Sequence, residues 1–302
     1  MYWGKIVELL KLCNTPVSII SPIPLFAISL FLISRNELSI HDLPILFSGI
    51  VITLLSNFGS NLWNHCNDLK EDIAQGKKTI LTHDTKMQKT ALFFALMFYA
   101  FSLFLICYLS VKLKRPIYLY FLMWTFITWW YSDNVILKKL VGFRLKEHYM
   151  GELITYAIAW PTYTLSIWLI YSDLNATGIM TTIAFFFFGI SILLLKDLKD
   201  ISGDREAGLK TFGVVFSPSL LIRYSCYFVL LYYLVILNLF TLNSVGSGIL
   251  IIMFPLIYFL RNTFFHMYKK QWKLDSGDLK AFKSIGESYY ASLIIMGFYS
   301  FL

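Results

Sequence analysis

Two stretches of this 302-residue chain carry aspartates at a spacing suited to metal and phosphate chemistry. They are Asp68-Leu-Lys-Glu-Asp72-Ile-Ala-Gln-Gly76-Lys-Lys78-Thr79 and Asp200-Ile-Ser-Gly-Asp204-Arg-Glu-Ala-Gly208-Leu-Lys210-Thr211, so the pattern DxxxDxxxGxKT occurs twice. Asn64 precedes the first copy and Asp197 the second. On a helix turning about 100° per residue, Asn64, Asp68 and Asp72 at i, i+4 and i+8 fall on one stripe, as do Asp197, Asp200 and Asp204 at i, i+3 and i+7. Gly76 and Gly208 stand where such helices would end.

Carboxylates packed this closely repel one another, and desolvation at a membrane boundary adds to the cost, so the clusters need water or a cation. Mg²⁺ takes oxygen ligands, keeps several waters, and is commonly held by one or two carboxylates together with phosphate oxygens. Two facing stripes would therefore hold two ions with a diphosphate between them. The plainer reading is a set of solvated carboxylates balanced by Lys70, Lys77, Lys199 and Arg205. Repetition at matched positions argues against it.

The elements that must position these residues are membrane helices. The chain is 57% hydrophobic and 15% charged, with a mean hydropathy of +0.64, an apolar surplus beyond the needs of a soluble core. Crossing a hydrocarbon layer takes roughly 20 mainly apolar residues. Such runs fall at 16–34, 43–63, 90–111, 116–132, 149–171, 177–196, 218–241, 247–260 and 284–302. The expected fold is therefore an all-α polytopic membrane protein of about nine transmembrane helices. It is read as one domain, in two similar halves at approximately 1–132 and 133–302 around a central cavity. The run after Asn14 lies deep and lacks a small-residue cleavage site, so it is read as a first helix rather than a signal peptide.

The formal net charge of +8 does not imply nucleic acid, because the basic residues lie in connections between spans rather than on one soluble face. Arg35, Lys112, Lys114 and Arg115 supply the odd-numbered connections, while the amino terminus and even-numbered connections hold most of the rest. The positive-inside bias then places the amino terminus and both aspartate clusters in the cytoplasm. The long connections, 64–89, 133–148, 197–217 and 261–283, all belong to that set, which makes the cytoplasmic side the working face. The two copies of the motif lie four spans apart and so share one side and one orientation.

Other chemistry-bearing residues are sparser. Cys13, Cys66, Cys107 and Cys226 have no CxxC or Cys/His spacing and read as reduced and structural. His65, inside the first cluster, is either a surface residue or a base for an acceptor's proton. Glu71 is a spare ligand or a solvated neighbour of Lys70. Glu152 opens the fifth span, and an acid there marks a functional site unless it reaches water. Aromatic residues make up 18% of the chain. Trp124, Trp129, Trp130, Tyr156 and Trp160 read mainly as interfacial or lipid-facing anchors.

These motifs resemble the UbiA superfamily of intramembrane prenyltransferases. Its NxxxDxxxD pattern after the second span matches Asn64, Asp68 and Asp72, and its DxxDxxxD pattern after the sixth matches Asp197, Asp200 and Asp204. Tyr131-Ser132 with Leu137-Lys138, then Gly151-Glu152, are similar to elements around its fourth connection. The chain departs from the family at Asn14-Thr15-Pro16, where Arg-Pro is usual, and after Gly76, where an Arg-Pro-Ile-Pro stretch is usual.

The resemblance implies transfer of a prenyl group from a polyprenyl diphosphate, such as geranylgeranyl or farnesyl diphosphate. The acceptor would be an aromatic quinone precursor or a glycerol phosphate ether lipid. It implies two Mg²⁺ ions held by Asp68, Asp72, Asp200 and Asp204, with Asn64 and Asp197 binding metal or ordering water. It also implies that Lys138, with Tyr131 and Arg205, contacts the diphosphate. The pocket above would be dry and would open sideways into the bilayer, since donor and product are lipids. A cation transporter is the competing class, because paired acidic residues in repeated halves also serve carriers. A CDP-alcohol phosphotransferase needs a DGxxAR motif, which the chain lacks.

Overall fold

The structure, a computed structural model, describes residues 2–13, 22–35, 39–74, 76–199, 201–242, 246–275 and 278–299. Apolar sequence becomes helix because a membrane offers the backbone no other hydrogen-bond partners. In chain order the helices are α1 (Tyr2–Leu12), α2 (Pro22–Ile33), α3 (Leu43–Asn67), α4 (Leu69–Ala74), α5 (Ile80–His83) and α6 (Thr85–Leu113). Then follow α7 (Ile117–Ser132), α8 (Leu137–Val141), α9 (Tyr149–Tyr171), α10 (Ala176–Lys196), α11 (Ile201–Glu206) and α12 (Phe212–Val215). The chain closes with α13 (Pro218–Leu242), α14 (Gly246–Phe259), α15 (Phe265–Lys269) and α16 (Leu279–Tyr299).

Among the described residues, five helices are long and apolar enough to cross a membrane: α3 with its preceding turn, α6, α9, α10 and α13. A helix occupies the described part of each of the nine apolar segments, yet α2, α7 and α14 have 12, 16 and 14 residues. At 1.5 Å per residue these reach roughly 18–24 Å, short of a ~30 Å hydrocarbon layer. Residues 16–21 of the expected first span lie outside the described residues.

The bundle is built by close packing of α3 on α6, α7 on α9, and α10 on both α9 and α13, with α16 against α2 and α14. α6 shows how the sequence sorts its faces. Ala91, Ala95, Tyr99, Ser102, Ile106 and Leu109 are buried, while Phe93, Met97, Phe101, Phe104 and Tyr108 form an exposed stripe at helical spacing, the face a lipid would cover. Gly59 of α3 lets the two backbones meet, since a Cβ there would stand 3.3 Å from Tyr99 N.

Polar side chains inside the helices bond to the turn below. Thr155 Oγ1 donates to Gly151 O, Thr162 to Ile158 O, Thr164 to Trp160 O and Ser166 to Thr162 O. These hydroxyls therefore cost little inside the bundle. The four cysteines are all free thiols.

Candidate active site

The first aspartate copy begins where α3 ends. Asp68 is the C-cap of α3, with φ −97° and ψ 10°, and α4 starts one residue later. The continuous stripe expected over Asn64, Asp68 and Asp72 is thus interrupted at its middle residue. Helical hydrogen bonding nevertheless carries through, with Asp68 N donating to Asn64 O at 3.0 Å and Asp72 N to Asp68 O at 2.8 Å. In the second copy Asp197 opens a short 3₁₀ turn and Asp204 lies in α11. Asp200 lies outside the described residues.

The two copies end alike. Gly76 and Gly208 take φ of 67° and 74°, in the left-handed region that glycine tolerates. In each, the next amide reaches back five residues, Lys77 N to Asp72 O and Leu209 N to Asp204 O, both at 2.9 Å. α4 and α11 pack against each other, so residues far apart in the chain meet at one end of the bundle.

Cations surround the first copy. Asp68 is 8% exposed, and its Oδ1 is 2.5 Å from Lys146 Nζ and 3.5 Å from Arg144 Nη1. Arg144, 2% exposed, also donates through Nη2 to Glu71 and through Nε to Glu147 Oε1 at 3.1 Å. Asp72 accepts from Lys77 Nζ at 3.2 Å, and His65 Nδ1 lies 3.9 Å from its other oxygen. Asn64 Oδ1 accepts from Ser132 Oγ.

Burial would push these acids up, but their partners win. The Arg144 hydrogen bond and charge hold Glu71 below the ordinary carboxylate value, as His65 and Lys77 do for Asp72 and Lys138 and Arg144 do for Glu147. Arg144 is correspondingly held above its ordinary value despite its burial, first by Glu71.

The second copy is organised by Glu152, fully buried at the start of α9. Its carboxylate accepts from Lys196 Nζ at 2.5 Å, from Phe212 N at 3.1 Å and from Tyr131 OH at 3.3 Å. Lys196 Nζ is also 2.5 Å from Asp197 Oδ1 and lies over the rings of Tyr131 and Tyr156, 5.7 and 6.0 Å from their centroids. Asp204 Oδ2 accepts from Thr211 Oγ1 at 2.9 Å. Lys138 pairs with Glu147 at 2.6 Å, and Arg205 is exposed on α11.

The connection between α8 and α9 ties the two copies together. Arg144 grips α4 through Glu71. Three residues later Glu147 O accepts from Lys210 N at 2.9 Å, and Tyr149 N donates to Lys210 O at 2.7 Å, an isolated parallel bridge. Gly151 permits the fold-back, because a Cβ there would sit 2.1 Å from Leu145 O. The Gly151-Glu152 pair therefore has two jobs: the glycine admits the connection and the glutamate anchors the second copy.

The residues present fit a divalent ion. Glu71 Oε2 in the first copy and Asp197 Oδ2 in the second are shut from solvent without a hydrogen-bond partner. Buried carboxylate oxygens are rarely left so, and the two copies that carry them also carry Asp68, Asp72, Asp204 and the Asn64 amide, a hard oxygen donor set. No group of three His, Cys, Asp or Glu side chains converges on one point among the described residues, which exclude Asp200.

Sequence reading missed Arg144, Lys146 and Glu147 and gave Lys196 no role. No local pattern marked them: Lys146 and Glu147 sit in a 3₁₀ turn, Leu145–Glu147, and the partners of Arg144 and Lys146 on the first copy lie more than seventy positions away.

Comparison with known proteins places the fold. The chain is 30% identical over 294 residues to an uncharacterized protein of Archaeoglobus fulgidus, covering 96% of this chain and 97% of that one. Its fold is similar to a structure described under the biosynthesis of digeranylgeranylglyceryl phosphate synthase in membranes, with a TM-score of 0.66 and 14% identity over 98% of this chain and 99% of that one. It is also similar to a UbiA homologue from Archaeoglobus fulgidus bound to DMAPP and Mg²⁺, with a TM-score of 0.63 and 17% identity over 97% and 98%. The UbiA prenyltransferase family matches residues 23–284, and the chain belongs to that family of enzymes.

Proposed function

We propose that this enzyme moves a prenyl group from a polyprenyl diphosphate, such as geranylgeranyl or farnesyl diphosphate, to an acceptor dissolved in the membrane. The observation that carries the reading is the meeting of α4 and α11, with a buried, unpartnered carboxylate oxygen at Glu71 on α4 and another at Asp197 in the 3₁₀ turn just before α11. Family membership replaces the carrier reading.

Asn64, Asp68, Asp72, Asp197, Asp200 and Asp204 would hold Mg²⁺, which supplies charge neutralisation to the departing diphosphate as its bond to the allylic carbon breaks. The chain's own groups do the rest. Lys138, Tyr131 and Arg205 orient the diphosphate, with Tyr131 steadied by Glu152. Aromatic side chains such as Trp63 and Trp129, stacked 3.9 Å apart under the first copy, keep water from the reacting carbon. The amino terminus and both copies face the cytoplasm, and the pocket opens to the bilayer.

The acceptor is an aromatic quinone precursor or a glycerol phosphate ether. The second class is favoured by the likeness to the digeranylgeranylglyceryl phosphate synthase structure. Purified protein should bind geranylgeranyl diphosphate with Mg²⁺, and Asp68→Ala or Asp200→Ala should abolish binding and turnover. Labelled donor offered with one acceptor of each class, followed by mass analysis, separates them. Binding unaffected by either change, or turnover of neither acceptor, would overturn the proposal.

A further inference from the structure

The amino-terminal helix α1 presents three faces. Leu9 and Cys13 are buried against the bundle, and Cys13 O accepts from Asn61 Nδ2 of α3 at 3.0 Å. On a second face Val7 and Leu10 are 48% and 50% exposed. Lys5, Glu8 and Lys11 form the third, which fronts a groove of about 570 Å³ whose far wall carries Lys78, His83 and Asp84. Asp84 is already engaged: it caps α6 by accepting from Lys86 N and Met87 N, and it pairs with Lys5 at 2.6 Å. Lys11 and Lys78 are exposed, one on each wall, and neither has an acidic partner among the described residues.

We propose that this groove is a docking site for the phosphate of an anionic phospholipid, held by Lys11 and Lys78, with Val7 and Leu10 set into the acyl layer. The inference stands apart from the prenyl-transfer reading. A helix with lysines on one face and exposed aliphatic side chains on another lies in the plane of a membrane interface. The level is set by α6, whose exposed apolar stripe ends at Phe93 and gives way to Lys89 and Lys86, both exposed. Lysines at the end of such a stripe reach for the headgroups, and Asp84 stands just beyond them. A soluble anion would gain nothing from Val7 and Leu10, whereas an amphiphile uses both faces. A zwitterionic headgroup would bring its own ammonium among the lysines, so the surplus of cations selects a net negative one. Lys78 stands two residues after Gly76, so a headgroup held there would brace the loop that closes the first aspartate copy.

The test uses the full-length protein in a neutral detergent, with bound lipid followed by native mass spectrometry. Dioctanoyl phosphatidylglycerol should bind about fivefold or more tightly than dioctanoyl phosphatidylcholine, and inorganic phosphate at equal concentration should not displace it. The exchanged lysines are exposed, so the variants keep the fold. Lys11→Gln with Lys78→Gln should bring the two lipids within about twofold of each other, and Glu8→Gln should widen the gap. Leu10→Asn should weaken both lipids alike. Lys112→Gln with Lys114→Gln, at the far end of α6, is the control and should leave the preference intact. Equal affinity of the wild type for the two lipids, or displacement by inorganic phosphate, would overturn the proposal. So would a preference that survives the Lys11 and Lys78 changes or falls as far in the control.

Discussion

Glu152 and Lys196 stand 2.5 Å apart, one opening α9 and the other closing α10, and together they hold the second aspartate copy to the bundle. The same carboxylate accepts from Tyr131 on α7 and from the backbone of Phe212 at the start of α12, so four elements converge on one acid.

Neutralising that acid should damage catalysis more than folding. Glu152→Gln keeps the shape and the bond from Phe212 N but leaves Lys196 bound to Asp197 alone. Turnover should fall by roughly 10–100-fold. Glu152→Ala also leaves a buried ammonium short of a partner and should cost about 3 kcal/mol or more of stability. Kinetics and melting measured on both variants check this; equal activity in Glu152→Gln and wild type would contradict it.

Acid should first loosen the end of the bundle that carries the two copies. Glu71, Asp72 and Glu147 are held below their ordinary values by Arg144, Lys77, His65 and Lys138. Groups depressed in the folded state add stability that is complete above their unfolded values, 4.5 for Glu and 3.8 for Asp, and lost as pH falls through the lower folded ones. Melting temperature should hold from about pH 7 to about pH 5 and drop below about pH 4. In Arg144→Ala the fall should start at a higher pH, because Glu71 loses its depressing partner. A melting series against pH for the two proteins tests it.

Gly151→Ala should act at a distance from the chemistry. The added methyl meets Leu145 O at 2.1 Å, so the connection carrying Arg144 and Lys146 must lift away from α9. Binding of geranylgeranyl diphosphate should weaken about tenfold or more while the helices stay inserted. Equilibrium binding alongside circular dichroism distinguishes this from a global loss of structure.

The repeat was the most legible part of the sequence, because the same spacing in two places is informative where a single aspartate pair is not. Gly76 and Gly208 were readable for the same reason, and both turn out left-handed. Apolar runs marked the helices well but not which of them span: α7 is apolar throughout and still only 16 residues long. The ties that assemble the site were not legible. Arg144 reaches Glu71 across 73 positions and Lys196 reaches Glu152 across 44, and nothing local distinguishes such cations from solvated loop charges. The breaks at Asp68 and Asp197 were hidden too, since a helical stripe and a kinked one have the same spacing.

The join between Glu147, Tyr149 and Lys210 is made of peptide groups, and neither of its hydrogen bonds passes through a side chain. Substitution at those positions can therefore change the charge and bulk at the rim while the strap itself holds. The scaffold thus keeps its two arms in register whatever headgroup chemistry the surrounding side chains are tailored to admit.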